Sequence, residues 1–155
     1  VGVNTGELGA SIYLREVLGR EDGAPPPVDL ALERRTGDFV RGLIQSGEVA
    51  VVHDLSDGGL IVAAADMALA SKIGVTLDAT SPGNAHPFLF GEDQARYLIA
   101  TDAPDALLKA AADAGLHASV VGQAGGDAFA SKDLFSIPLA KLRAAHEDWM
   151  PGFMG

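Results

Sequence analysis

The sequence predicts an α/β (α+β) fold, a mixed β-sheet covered by helices, and three observations lead there. Short apolar runs rich in β-branched residues stand at Glu48 to His53, Val75 to Leu77 and Tyr97 to Thr101. Stretches with apolar residues at helical spacing lie between such runs. The two kinds of segment do not alternate strictly, as they would in a doubly wound parallel sheet.

Each element has a local reason. Leu8, Ile12, Leu14, Val17 and Leu18 form a helical stripe that Gly19 can close in the left-handed region, and Asn4-Thr5-Gly6-Glu7 reads as a capping box before it. Pro25-Pro26-Pro27 imposes an extended loop over Glu21 to Pro27. Asp29 then caps a second helix with Leu32, Phe39, Val40, Leu43 and Ile44 on one face. Glu48 to His53 reads as a buried strand through Val49, Val51 and Val52. The helix after Gly59 is apolar nearly all round, with Leu60, Ile61, Val62, Met67 and Leu69 interleaved with alanines, and belongs in the middle of the domain.

Farther along, Thr80 to Pro87 is predicted as a turn-rich loop, and Asp102-Ala103-Pro104 starts a helix that runs to Gly115. Ala118 to Val121 reads as a strand, Gly122 to Gly126 as a turn, and Leu134 to Pro138 as an edge strand. Leu139 to Glu147 is the terminal helix; Trp149, Met150, Phe153 and Met154 are expected to anchor the tail to the core or to a neighbouring domain.

The 155 residues, 48% hydrophobic, suit a single domain spanning 1–155. The opening at Val1 without an initiator Met suggests the C-terminal fragment of a longer, multidomain chain. A formal charge of -10 with no basic run argues against nucleic acid or anionic membrane as a partner. The absence of cysteine excludes disulfides, thiolate nucleophiles and cysteine-ligated zinc, and suits a cytoplasmic location. No apolar run reaches the length of a membrane span.

Two constellations carry the chemistry. In Val51-Val52-His53-Asp54-Leu55-Ser56-Asp57-Gly58-Gly59-Leu60, a strand breaks into a polar turn and re-enters a helix. Paired glycines let backbone pass close to an anion such as phosphate, and the next helix points its unpaired N–H groups there. The turn has Asp54 and Asp57 where a P-loop has Lys and Ser/Thr, so a magnesium ion held by Asp54 would bridge protein and phosphate. The competing explanation is that Asp and Ser cap the helix while Gly58 and Gly59 permit tight packing. The second constellation is Gly91-Glu92-Asp93-Gln94-Ala95-Arg96. Glu92 and Asp93 can accept from a ribose or amide, Gln94 can donate and accept, and Arg96 can pair with an anion. By itself this segment reads more simply as a solvent-exposed turn that keeps an edge strand soluble.

In order and spacing the two segments resemble the C-terminal domain shared by aminoimidazole ribonucleotide synthetase-like enzymes. The set Glu7-Leu8-Gly9-Ala10-Ser11-x-Tyr13-Leu14, His53-Asp54-Leu55-Ser56-Asp57-Gly58-Gly59-Leu60, Leu89-Phe90-Gly91-Glu92-Asp93-Gln94-x-Arg96 and Leu142-Arg143-x-Ala145-His146-Glu147-x-Trp149 is similar to the last domain of the phosphoribosylformylglycinamidine synthase family of purine biosynthesis. The resemblance implies an ATP- and Mg2+-dependent ligase built from two pseudo-repeated halves. It also implies partners: the other domains of the same chain, a glutaminase subunit and a small accessory subunit. The family's catalytic histidine and most ATP contacts would lie outside this chain, leaving it no catalytic residue of its own.

Carried over by position, the magnesium role falls on Asp54 and nucleotide contacts fall on Glu92, Asp93 and Gln94, with Ser56, Asp57, Gly58 and Gly59 at the turn. Asp93 stands where the first-half counterpart of the domain has serine, and the resemblance assigns these residues to a vestigial or auxiliary site. Two alternatives stand beside this reading. One is a domain of another superfamily member, such as aminoimidazole ribonucleotide synthetase, selenophosphate synthetase or thiamine-phosphate kinase; the other is a non-catalytic packing or assembly module.

Overall fold

A computed structural model of the chain describes residues 1–78 and 85–155. The described residues gather into two compact units. One holds residues 1–63 with the described part of 81–120, and the other the described part of 64–80 with residues 121–155.

The first unit opens irregularly and forms a single π-helical turn at Tyr13–Val17. The longer stripe predicted from Leu8 does not become a helix, because the capping box is never made. Thr5 donates its N–H and hydroxyl to Asp93, and the Asn4 carboxamide turns to Gly6 N and Pro87 O. After the proline loop, α1 (Leu30–Ser46) begins as predicted, the Asp29 carboxylate accepting from Ala31 and Leu32 N–H at 2.9 and 3.0 Å. It ends on Gly47 at φ 76°. Val40 and Leu43 are buried and Ile44 is half exposed. The polar Thr36 completes the buried stripe by donating its hydroxyl to Leu32 O.

β1 (Val51–Asp54) and β3 (Tyr97–Ala100) form a two-stranded antiparallel sheet, with Val51 opposite Ala100 and Asp54 opposite Tyr97. The expectation of a buried strand is corrected here. Val49 is buried before the strand begins, whereas Val51 on the strand is 49% exposed, a two-stranded ladder having too little surface to cover both faces. The short helix α3 (Ala85–Phe90) takes up part of the segment predicted as loop; the remainder of that prediction, 80–84, lies outside the described residues. Pro104 opens α4 (Pro104–Asp113) at its first position, as predicted.

The helix α2 (Gly59–Ser71) contributes residues to both units. Leu60, Ala63, Ala64, Ala68 and Leu69 are buried, but Val62 is 41% exposed, so it is not covered all round among the described residues.

The second unit holds a four-stranded sheet of β2 (Val75–Leu77), β4 (Gly122–Ala124), β5 (Ala128–Ser131) and β6 (Phe135–Pro138), in the order β4-β2-β5-β6. β2 and β5 are parallel and the other pairs antiparallel, so the sheet is mixed as predicted, although the strands divide between two sheets instead of one. The strand expected at Ala118 to Val121 forms instead as β4, within the stretch predicted as a turn, and Val120 is exposed. Gly122 has no side chain to meet the Thr76 carbonyl beside it; a methyl there would stand 2.3 Å from that oxygen. β6 lies at the edge, as expected.

α5 (Leu139–Glu147) packs on β5 and β6, and Arg143 donates to Leu69 O and pairs with Glu147. The tail forms α6 (Trp149–Met154) but is not anchored in the core. Trp149, Met150, Phe153 and Met154 are 63, 54, 76 and 77% exposed, and Trp149 stacks instead on Phe153, four residues along the same helix. Among the described residues, no helix is long and apolar enough to cross a membrane.

Candidate functional site

The two sequence segments singled out for chemistry meet in the first unit, at the end of β1 and the start of β3. The chain leaves β1 at Asp54, and Leu55 N–H still bonds Arg96 O before the turn. Gly58 and Gly59 then take φ values of +78° and +67°, a left-handed pair that any side chain would strain. Gly59 is also pressed against 89–91: a methyl group on it would stand 2.6 Å from Gly91 O and 3.0 Å from Leu89 O. The glycine pair therefore lets the start of α2 sit on the backbone of the second segment, the tight-packing role weighed from sequence.

The acceptor of the turn's amide is Glu92. One oxygen of its carboxylate, Oε1, accepts from Gly58 N–H at 2.9 Å and from Ile12 N–H at 2.9 Å. An anion does occupy this place, and it is the chain's own. Asp93 is 3% exposed and likewise engaged, accepting from Thr5 and facing the Arg96 guanidinium at 3.5 Å. Arg96, 7% exposed, donates to Gly91 O at 3.0 Å. Burial lowers its pKa from the ordinary guanidinium value, an effect Asp93 opposes. The segment is thus not the solvent-exposed turn suggested by its charges, because Asp93 and Arg96 turn inward and satisfy each other.

The other predicted residues face outward. Asp54, Ser56, Asp57 and Gln94 are exposed, forming a polar rim on either side of the buried Gly58, Gly59 and Asp93. His53 folds back on its neighbour, with Nδ1 2.5 Å from Asp54 O and 3.8 Å from Asp54 Oδ1. Among the described residues no three His, Asp, Glu or Cys side chains converge as a metal-binding group. His86, His117 and His146 are exposed. His86 joins Tyr13 and Phe90 in an aromatic cluster, Tyr13 stacking on Phe90 at 4.4 Å, and no pattern in the sequence marked that grouping. Thr5 was read as part of a cap, and its partnership with Asp93, 88 residues away, left no local signal.

This architecture has known counterparts. The family model for the C-terminal domain of AIR synthase related proteins matches residues 1–131. The chain belongs to this family. This AIR synthase related domain is 76% identical over 154 residues to the phosphoribosylformylglycinamidine synthase subunit PurL of Caulobacter vibrioides, covering 99% of the chain and 21% of that protein. The PurL of Acidiphilium cryptum is 55% identical over 95% of the chain and 20% of its own length. The domain thus spans about a fifth of the length of these relatives. Among solved structures, PurLQS from Thermotoga maritima superposes with a TM-score of 0.65 over 86% of the chain and 24% of its own, at 18% identity, a likeness of fold. The T. maritima PurL, at a TM-score of 0.61 and 17% identity over 71% of this chain and 20% of its own, has been solved complexed with FGAR, and also with ATP.

Proposed function

We propose that this chain is the last domain, residues 1–155, of a phosphoribosylformylglycinamidine synthase, a cytoplasmic ligase of purine biosynthesis. The observation that carries the reading is the 76% identity to the C. vibrioides subunit across 99% of the chain. In this reading the full-length enzyme activates the amide oxygen of formylglycinamide ribonucleotide with ATP and magnesium, and ammonia then displaces phosphate to give the amidine. A glutaminase subunit supplies the ammonia, and a small accessory subunit completes the complex.

Within that enzyme, the exposed rim of Asp54, Ser56, Asp57 and Gln94 is the ligand-facing part of this domain, at an auxiliary site. Asp54 suits a magnesium ion as one ligand among phosphate oxygens and water, a common arrangement for that ion. The domain needs the rest of the protein for turnover, since the family's catalytic histidine and most ATP contacts would lie outside this chain. Glu92, Asp93, Gly58 and Gly59 support the rim from within.

The test is restoration of growth without purines in a bacterial strain lacking the synthase. The full-length gene encoding this chain should restore growth, and the 155-residue chain alone should not. Growth supported by the short chain, or failure of the full-length gene, overturns the reading.

A second reading, that the domain is a packing or assembly module, is favoured by one observation: Glu92 and Asp93 spend their carboxylates on the chain itself. Asp54→Asn and Gln94→Ala in the full-length enzyme separate the two. A ligand-facing rim predicts altered nucleotide binding, whereas a packing module predicts altered stability alone.

A further inference from the structure

Among the described residues no lysine or arginine pairs with Glu92. Its carboxylate is held by backbone alone, Gly58 N–H and Ile12 N–H both donating to Oε1 at 2.9 Å. The donors come from segments far apart in the chain and meet at one oxygen.

Both donors are aimed by features other than Glu92. A side chain at Gly58 would collide with Val62, a methyl standing 2.3 Å from its Cγ2, and φ at Gly58 is +78°. The turn therefore sets the direction of that N–H by its shape. Ile12 lies at the N-terminal edge of the π-helical turn, where an N–H has no partner within the helix. Ser11, 3% exposed, fixes that edge by donating its hydroxyl to Leu8 O at 2.7 Å and accepting from Leu14 N–H at 3.3 Å. Backbone N–H groups converging in this way make a concavity for an oxyanion. It lies just beneath the polar rim: Gly58 is buried, Ser56 and Asp57 beside it are exposed, and Glu92 is half-buried.

We propose that Gly58 N–H and Ile12 N–H form a binding site for one oxygen of a carboxylate or phosphate group, and that Glu92 is a built-in plug that keeps this site closed. The plug is covalently attached, so a free anion competes with a local carboxylate concentration on the order of millimolar or more. Its charge also repels an anion that enters the rim. The glycine turn is thereby withheld from a ligand's phosphate, an inference that deepens the reading of the rim as an auxiliary site and rests on it.

Amide hydrogen exchange, resolved to single residues in the full-length protein, tests it with sodium formate and inorganic phosphate as probes. In Glu92→Ala, exchange at Gly58 and Ile12 should be faster than in the unaltered protein. Formate or phosphate should slow it again by about tenfold or more, saturably, where sodium chloride of equal ionic strength does not. The unaltered protein should show no response at those amides, and neither should Glu92→Gln, whose carboxamide fills the same space. Protection across β1 and β3 reports that each variant has folded; if Glu92→Ala has lost it, Glu92→Ser, which leaves most of the space open, is read in its place. No slowing beyond that of chloride by either anion overturns the binding site. Slowing of equal size in the unaltered protein overturns the plug. Neither result touches the purine-growth test, since exchange at two amides reports binding and not turnover, whereas failure of that test removes only the placement of this site in the synthase.

Discussion

Glu92 and Gly58 are 34 residues apart, and the carboxylate of one accepts the backbone N–H of the other at 2.9 Å. The same oxygen accepts from Ile12, so one side chain pins the π-helical turn and the start of α2 to the segment that leads into β3. Glu92→Ala leaves both amides without their acceptor, at about 1–3 kcal/mol for each unsatisfied donor that stays buried. The expected result is an unfolding free energy lowered by that amount, read as a lower urea midpoint with an unchanged m-value. Glu92→Gln keeps an oxygen in place and loses only the charge, and its midpoint should fall by less than half as much.

The buried pair of Asp93 and Arg96 makes a different prediction. Removing Asp93 leaves a guanidinium at 7% exposure facing no carboxylate, and such uncompensated charges cost about 3–5 kcal/mol. Asp93→Ala should therefore be among the most destabilising single changes in the first unit. Adding Arg96→Met to it should recover part of the loss, because the double variant carries no buried charge. Denaturant titration of the two single variants and the double variant gives the coupling, and strict additivity would show that the two groups act independently.

Glycines in this chain divide by geometry. Gly59→Ala introduces a methyl 2.6 Å from Gly91 O at φ +67° and should lower stability by more than about 2 kcal/mol, combining overpacking with backbone strain. Gly42 lies inside α1 with nothing within 4 Å of its would-be methyl, so Gly42→Ala should raise stability by roughly 0.5–1 kcal/mol. Thermal unfolding of the two variants should move in opposite directions.

In the isolated 155-residue chain, the amino group of Val1 gives a pH dependence whose sign is fixed. Burial, aided by Arg96, lowers its pKa from 8.0 to about 6, so between those values the unfolded chain binds more protons than the folded one. Stability from this group is full above pH 8 and is lost as pH falls toward 6, by on the order of 2 kcal/mol. Four histidines titrate nearby, so the check is a comparison of the free and N-acetylated chains. The acetylated chain should lack this component, and the gap between the two should widen as pH falls from 8 to 6.

The parts legible in the sequence were those whose cause is local. Asp29 caps α1 through amides two and three residues away, Pro104 opens α4 at its first turn, and β2 and β3 carry their β-branched signal within themselves. The turn at Gly58 and Gly59 was recognisable for the same reason. What stayed hidden depends on distant partners. Nothing around Glu92 announces that the donors to its carboxylate lie 34 and 80 residues away, and charge alone suggested solvent for Asp93 and Arg96. β5 escaped because Ala128-Phe129-Ala130-Ser131 has little strand propensity and is held by neighbours on both sides, Leu77 standing opposite Ser131.

The stacked rings at the end of the chain have a practical side. Trp149 is the only tryptophan, its indole lies nearly parallel to the Phe153 ring at 5.4 Å, and it is 63% exposed. Its emission is therefore that of a solvent-bathed indole already in the native state, and it reports on the final helix while remaining largely blind to the apolar interior. A blue shift on mixing with another protein would mark contact at the tail, and loss of the fold elsewhere would pass with little optical trace.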